Sequence, residues 1–262
     1  MAEKTCSQCG AEVPKGHQFC GNCGATTGSA TDIGVASKDT GFFSPLQMPG
    51  RAKLIVIKGV GGDGISYALN ASDHVAGRDA GVILFPDDPS LSKEHANFLY
   101  REHQLYLRDM GSDNGTFLRV RGDHHLSDGD LFSCGQQLFR VEIPDSRTEF
   151  PDDEGTLLYV SPSRHERLRV MQILDGGLPG KVAASPHGEL TVGRQGCDLT
   201  VEDDNHMSKR HARLTLERDG RILLADLGSK NGTFIRIKGE TQLRHGDYVF
   251  IGQELLRVEI VE

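Results

Sequence analysis

From residue 53 onward the chain is a succession of short runs in which apolar and polar residues alternate. LIVIK, ISYAL, HVAGR, HANFLYR, QLYLRD, TFLRV and QLFRVEI come first. LRVMQIL, LTVGR, CDLTV, HARLTLE, RILLAD, TFIRI, YVFIG and LLRVEI follow in the same order, separated by Gly, Asp, Asn and Pro. A two-residue period puts the apolar side chains on one face of an extended strand, and no run has the length or the 3.6-residue period of a helix. Many short strands with frequent turns predict an all-β chain of sandwich type.

The strand pattern occurs twice. Gly77-Arg78 returns as Gly193-Arg194 and Ser92-x-x-His95 as Ser208-x-x-His211, an offset of 116. Asn114-Gly115-Thr116-Phe117 returns as Asn231-Gly232-Thr233-Phe234, Gly129-Asp130 as Gly246-Asp247, and Arg140-Val-Glu-Ile143 as Arg257-Val-Glu-Ile260, now at 117. The extra residue falls between YREHQLYL and LERDGRILL, where a hairpin turn absorbs it without moving any strand face. Each copy is too long for a solenoid unit and is expected to be a complete domain. Residues 26–52 and 146–166, rich in small, polar and Pro residues, read as linkers, so the domains are expected at 53–145 and 167–262.

Ahead of the repeats, Cys6-x2-Cys9 and Cys20-x2-Cys23 lie within the first 25 residues. Two such knuckles can offer four thiolates to a tetrahedral Zn2+, and so short a segment cannot fold on buried apolar surface alone. A redox or disulfide framework is the alternative, disfavoured without a flanking βαβ pattern. His17 is expected to face solvent, since four cysteines fill the tetrahedron, and Cys134 and Cys197 read as reduced structural thiols. The segment CSQCGAEVPKGHQFCGNCGA resembles the bacterial zinc-ribbon family, which implies one structural zinc on Cys6, Cys9, Cys20 and Cys23.

Net charge is -8, with no basic block to neutralise a run of phosphates and no Trp to stack bases, so nucleic acid is an improbable partner. No secretory signal and no apolar run of membrane-spanning length is visible, which predicts a cytoplasmic location.

Gly-Arg, Ser-x-x-His, Asn-Gly-Thr and Gly-Asp, in this order and twice over, resemble the forkhead-associated (FHA) family. The match spans 54–143 and 168–260. The resemblance implies two tandem eleven-stranded sandwiches, each binding a phosphothreonine peptide through loops at one end. No enzyme is expected, since no carboxylate is positioned by a recognisable motif and no nucleotide-binding glycine loop precedes a helix. The chemistry of the matching positions is suited to that. A phosphothreonine carries about -1.5 to -2 charge and three acceptor oxygens, so it needs a fixed guanidinium, a hydroxyl donor and amide groups. Arg78 and Arg194 can supply the first, Ser92 and Ser208 the second, with Lys93 and Lys209 adding charge. Asn114 and Asn231 can bond an extended peptide backbone, with Gly115 and Gly232 permitting the turn that aims them. Gly77 and Gly193 precede the arginines at strand ends, and His95 and His211 are implied to brace the loops.

The two sites differ in charge. Arg78 and Lys93 face Asp79, Asp87, Asp88, Glu94 and Asp113, whereas Arg194, Lys209, Arg210 and Lys230 face Glu202, Asp203 and Asp204. Lys230 stands where the first repeat has Asp113, which favours the second sandwich as the main receptor. Partners are expected to be phosphothreonine proteins made by a Ser/Thr kinase. Thr40 in the linker is a candidate for phosphorylation and self-binding, within one chain or between two. The competing expectation is a scaffold whose sandwiches make protein contacts without phosphate.

Overall fold

The computed structural model describes residues 4–13, 20, 22–23, 25, 51–59, 64–144 and 165–260. The linkers at 26–50 and 145–164, Thr40 and His17 lie outside the described residues. A two-stranded ribbon of β1 (Lys4–Thr5) and β2 (Glu12–Val13) comes first. The first repeat then forms β3 (Ala52–Lys58), β4 (Ser66–Leu69), β5 (Asp73–Gly77), β6 (Ile83–Leu84), β7 (Ala96–Arg101), β8 (Gln104–Asp109), β9 (Thr116–Arg119), β10 (His124–Leu126), β11 (Leu131–Cys134) and β12 (Gln137–Glu142). The second forms β13 (Leu168–Ile173), β14 (Pro179–Ser185), β15 (Glu189–Gly193), β16 (Leu199–Thr200), β17 (Ala212–Leu216), β18 (Ile222–Asp226), β19 (Thr233–Arg236), β20 (Thr241–Gln242), β21 (Tyr248–Ile251) and β22 (Glu254–Ile260). Among the described residues the one helical turn is a 3-10 turn at Asp175–Gly177, and no helix is long and apolar enough to cross a membrane.

The all-β expectation holds, but the compact units differ from the expected domains 53–145 and 167–262. One unit comprises 1–118 with 237–262, and the other 119–236. In the first, one sheet runs β4-β3-β22-β21-β9 and the other β20-β8-β7-β5-β6. In the second, the sheets run β14-β13-β12-β11-β19 and β10-β18-β17-β15-β16. The last three strands of each repeat have therefore changed places. β22 pairs with β3 in the register Glu259↔Lys53, and β12 pairs with β13 in the equivalent register Glu142↔Arg169. Ten strands are described in each sandwich, where the resemblance implied eleven.

Alternation places the cores as the sequence suggests. Leu54, Val56, Phe85, Phe98 and Leu107 pack with Val249, Leu256 and Val258 in the first unit. Leu168, Val170, Val192 and Leu214 pack with Phe132, Phe139 and Val141 in the second. The one-residue difference between repeats sits at the β7–β8 hairpin, as expected. Glu102 and His103 both take positive φ, 49° and 67°, in a two-residue turn, and the corresponding turn is the three residues 218–220, closed by the Glu217 amide on the Arg221 carbonyl at 2.8 Å.

Candidate phosphopeptide-binding loops and metal centre

Three loops of the first unit meet around Ser92. Arg78 follows β5, Ser92 and Lys93 lie between β6 and β7, and Asn114 lies between β8 and β9. The Arg78 amide donates to the Ser92 carbonyl at 3.1 Å, and the Asp113 amide donates to Ser92 Oγ at 3.1 Å. The second unit repeats this: the Arg194 amide donates to the Ser208 carbonyl at 2.9 Å and the Lys230 amide to Ser208 Oγ at 3.1 Å. A Cβ on Gly77 or Gly193 would collide with the carbonyl of Lys93 or Lys209. Glycine before each arginine is thus required by the approach of the next loop.

His95 and His211 are buried braces. Each accepts the serine amide on Nδ1, from Ser92 at 3.2 Å or Ser208 at 3.1 Å. Each donates from Nε2 to a glycine carbonyl, Gly115 at 3.0 Å or Gly232 at 3.1 Å. This pattern needs the neutral ring, and burial pushes both imidazoles below their usual range despite the carbonyl bonds. Gly115 and Gly232 take φ of 81° and 85°, where a side chain is strained. The Asn114 Nδ2 donates to Ser90 O at 2.8 Å and the Asn231 Nδ2 to His206 O at 2.7 Å. Each amide is thus oriented by the neighbouring loop, and its Oδ1 has no partner among the described residues.

A network that sequence reasoning passed over shapes these loops. Asp109 Oδ1 accepts the Gly111 and Ser112 amides, both at 2.9 Å, and Oδ2 accepts the hydroxyls of Ser112 at 2.6 Å and Thr116 at 2.7 Å. Asp226 accepts from Ser229 and Thr233 at the same distances. Burial alone would raise both carboxyls, but these donors outweigh it and hold them below the ordinary range. The signal was available as Asp-x-x-Ser-x-x-x-Thr in both repeats.

Asp88 and Asp204, which entered the charge comparison, are likewise buried loop anchors. Asp88 Oδ1 accepts the Ser90 amide at 2.8 Å and Oδ2 the Gln253 amide at 2.6 Å. Asp204 Oδ1 accepts the His206 amide at 2.8 Å, and Oδ2 accepts the Gln136 amide at 2.8 Å and Gln137 Nε2 at 3.0 Å. As the two occupy matching places, removing them leaves the contrast between sites intact.

That contrast is visible in the bonds. In the first unit Ser92 Oγ donates to Asp113 Oδ2 at 3.0 Å, and Arg78 Nε lies 3.5 Å from Asp79 Oδ2. In the second, among the described residues, the Ser208 hydroxyl hydrogen has no acceptor and the enclosed Arg194 Nε has no partner. Gln195 stands where Asp79 stands in the first repeat. Lys209 and Lys230 are exposed on the same loops.

In the ribbon, the four sulfurs of Cys6, Cys9, Cys20 and Cys23 lie within 4.8 Å of one another, and the pairs Cys6–Cys23 and Cys9–Cys20 are each 3.6 Å apart. Four thiolates at ~2.3 Å from a tetrahedral ion are ~3.8 Å apart. The cluster therefore fits a metal ion. The Asn22 side chain, 3.5 Å from Cys9 Sγ, is the main cause that lowers that thiol to about 6, whereas burial pushes Cys23 up to about 12. Cys134 and Cys197 are free thiols; burial raises both.

Comparison with known proteins identifies the families. The FHA domain family matches residues 74–135 and 190–252, and the zinc-ribbon domain family matches 5–27. The chain is 30% identical over 112 residues to an oxoglutarate dehydrogenase inhibitor of Corynebacterium diphtheriae, covering 42% of this chain and 78% of that protein. It is 35% identical over 91 residues to the FHA domain-containing protein FhaB of Mycobacterium tuberculosis, covering 34% and 57%. It is 30% identical over 110 residues to the glycogen accumulation regulator GarA of the same species, covering 41% and 66%.

Proposed function

Because the chain belongs to the FHA domain family, we propose that it is a phosphothreonine-peptide-binding signalling adaptor whose second repeat carries the main receptor. FHA domains are binding modules, and the chain is not an enzyme. Arg194 supplies a guanidinium to the phosphate, the Ser208 hydroxyl donates to a phosphate oxygen, and Lys209 and Lys230 add charge from the rim. Asn231 accepts a backbone N–H of the peptide through Oδ1. Arg78, Ser92, Lys93 and Asn114 form the corresponding weaker site. The observation that carries the ranking is the pair of unengaged donors, Arg194 Nε and the Ser208 hydroxyl, against their engaged counterparts on Asp79 and Asp113.

The four cysteines hold one structural Zn2+, whose role is to fold the ribbon. Partners are phosphorylated substrates of a Ser/Thr kinase, and Thr40, once phosphorylated, is a candidate ligand for this chain or a second copy. The test is titration of the full chain with a phosphothreonine peptide. Arg194→Ala should remove the tighter binding step and Arg78→Ala should leave it. The opposite result overturns the ranking, and partner capture indifferent to both variants and to phosphatase would favour a phosphate-independent scaffold.

A further inference from the structure

The exchange of C-terminal strands is more than an alternative drawing of two ordinary domains. We propose that each receptor site is held in shape by the hairpin of the other repeat, so that the two sandwiches form one inseparable binding unit. This rests on the phosphopeptide reading only for what the sites bind.

Local pairing does not select the exchange. Lys53 Nζ lies 2.8 Å from Glu259 Oε2, and Arg169 NH1 lies 3.4 Å from Glu142 Oε2. Glu142 and Glu259 are equivalent in the repeats, so returning each tail to its own repeat would merely pair Lys53 with Glu142 and Arg169 with Glu259. The cores do discriminate. The first repeat keeps Phe85 and Phe98 in its own body, where the second has Val201 and Leu214. Its tail carries Phe132 and Phe139, where the second tail has Val249 and Leu256.

With tails exchanged, each core holds two of these four rings. Without exchange, one core would hold all four and the other none. Cys134 against Ile251 offsets part of the volume but not the shape, since close-packed interiors accept a ring only where its neighbours leave room for it.

The exchanged hairpins also reach the sites. The turn before β22 bonds Asp88 through the Gln253 amide at 2.6 Å, Asp88 holds the Ser90 amide, and the Ser90 carbonyl orients Asn114. The turn before β12 bonds Asp204 through the Gln136 amide at 2.8 Å, Asp204 holds the His206 amide, and the His206 carbonyl orients Asn231. Each binding asparagine is thus set by a chain of bonds that begins on the other repeat.

A specific protease site placed within residues 146–166 provides the test, read by size-exclusion chromatography and phosphothreonine-peptide titration before and after cutting. The cut protein should run as one species of unchanged size and bind the peptide with unchanged affinity. Separation into two fragments that each bind would overturn the proposal. An ordinary interface could also hold cut halves together, so two cysteine pairs decide the strand partners. Under oxidation Lys53→Cys with Glu259→Cys should form a disulfide within one chain, and Lys53→Cys with Glu142→Cys should not. A disulfide in the second pair, or a disulfide-linked dimer from the first, would overturn it. Failure of the uncut chain to bind the peptide would count against the phosphopeptide reading and leave the strand exchange standing on the disulfides.

Discussion

Asp113→Lys, made in an Arg194→Ala background so that only the first site reports, should tighten phosphopeptide binding at that site. Asp113 Oδ2 is 3.0 Å from Ser92 Oγ, so a phosphate bonded to that hydroxyl would centre ~6 Å from the carboxylate. Asp113 is exposed, and at an effective dielectric of ~60 a pair of unit charges ~6 Å apart interacts by ~0.9 kcal/mol. A phosphate of about -1.5 to -2 facing a change of two units gives ~3 to 4 kcal/mol before screening. A Debye length of ~8 Å at physiological salt leaves roughly half, or ~1.5 kcal/mol, a little over tenfold in Kd. Asp113→Asn changes one unit and should give ~3-fold.

The assay is fluorescence anisotropy with a labelled phosphothreonine peptide and its unphosphorylated twin, at two salt concentrations. The gain should be confined to the phosphorylated peptide and shrink as salt rises. An unchanged Kd, or an equal gain for both peptides, would refute the placement of Asp113 beside the phosphate and with it the account of why the sites differ.

Acid should loosen both sites before the fold is lost. The folded-state pKa values of His95 and His211 are lowered by burial, so the unfolded chain takes up the extra protons; stability is full above ~6.5 and declines as pH falls below it. Urea midpoints between pH 7 and 5 should fall, and a flat profile would contradict the neutral-ring assignment. Asp226→Ala strips the acceptor from Ser229 and Thr233 and should cost ~2 to 3 kcal/mol in urea unfolding, since each bond to a charged group is worth ~1.5 to 3 and the losses overlap. Metal analysis should find one zinc per chain, absent in Cys20→Ser, with phosphopeptide affinity unchanged in that variant; loss of affinity would tie the ribbon to the receptor.

Much of the loop geometry was legible because its chemistry is local. Gly77-Arg78 and Gly193-Arg194 announce a strand end where the next loop passes too close for a side chain, and the collision with the Lys93 and Lys209 carbonyls is the reason. The inserted residue was legible because a hairpin tolerates length where a strand does not, and it lies at Glu217–Arg221. Asp109 and Asp226 escaped because the strand pattern gave no role to the carboxylates that end QLYLRD and RILLAD, when their spacing to Ser and Thr makes Asp109 an acceptor for four donors and Asp226 for three. Ser92 was read as a free donor, although the neighbouring Asp113 that was counted against the phosphate also takes its hydrogen.

The strand exchange was not legible, for a definite physical reason. A two-residue period says which face of β11 or β21 is buried, but not which sheet supplies the neighbour. The two tails share that period, and even their edge charges, so either tail satisfies β3 and β13. What distinguishes them is the complement of each core, Phe132 and Phe139 beside Leu214, and Val249 and Leu256 beside Phe98. That is a property of two distant segments taken together, and it emerges when volumes are weighed across repeats. Repeats that share a strand pattern invite exchange because their strands are interchangeable by that pattern. Small differences in side-chain size then decide which exchange the chain adopts.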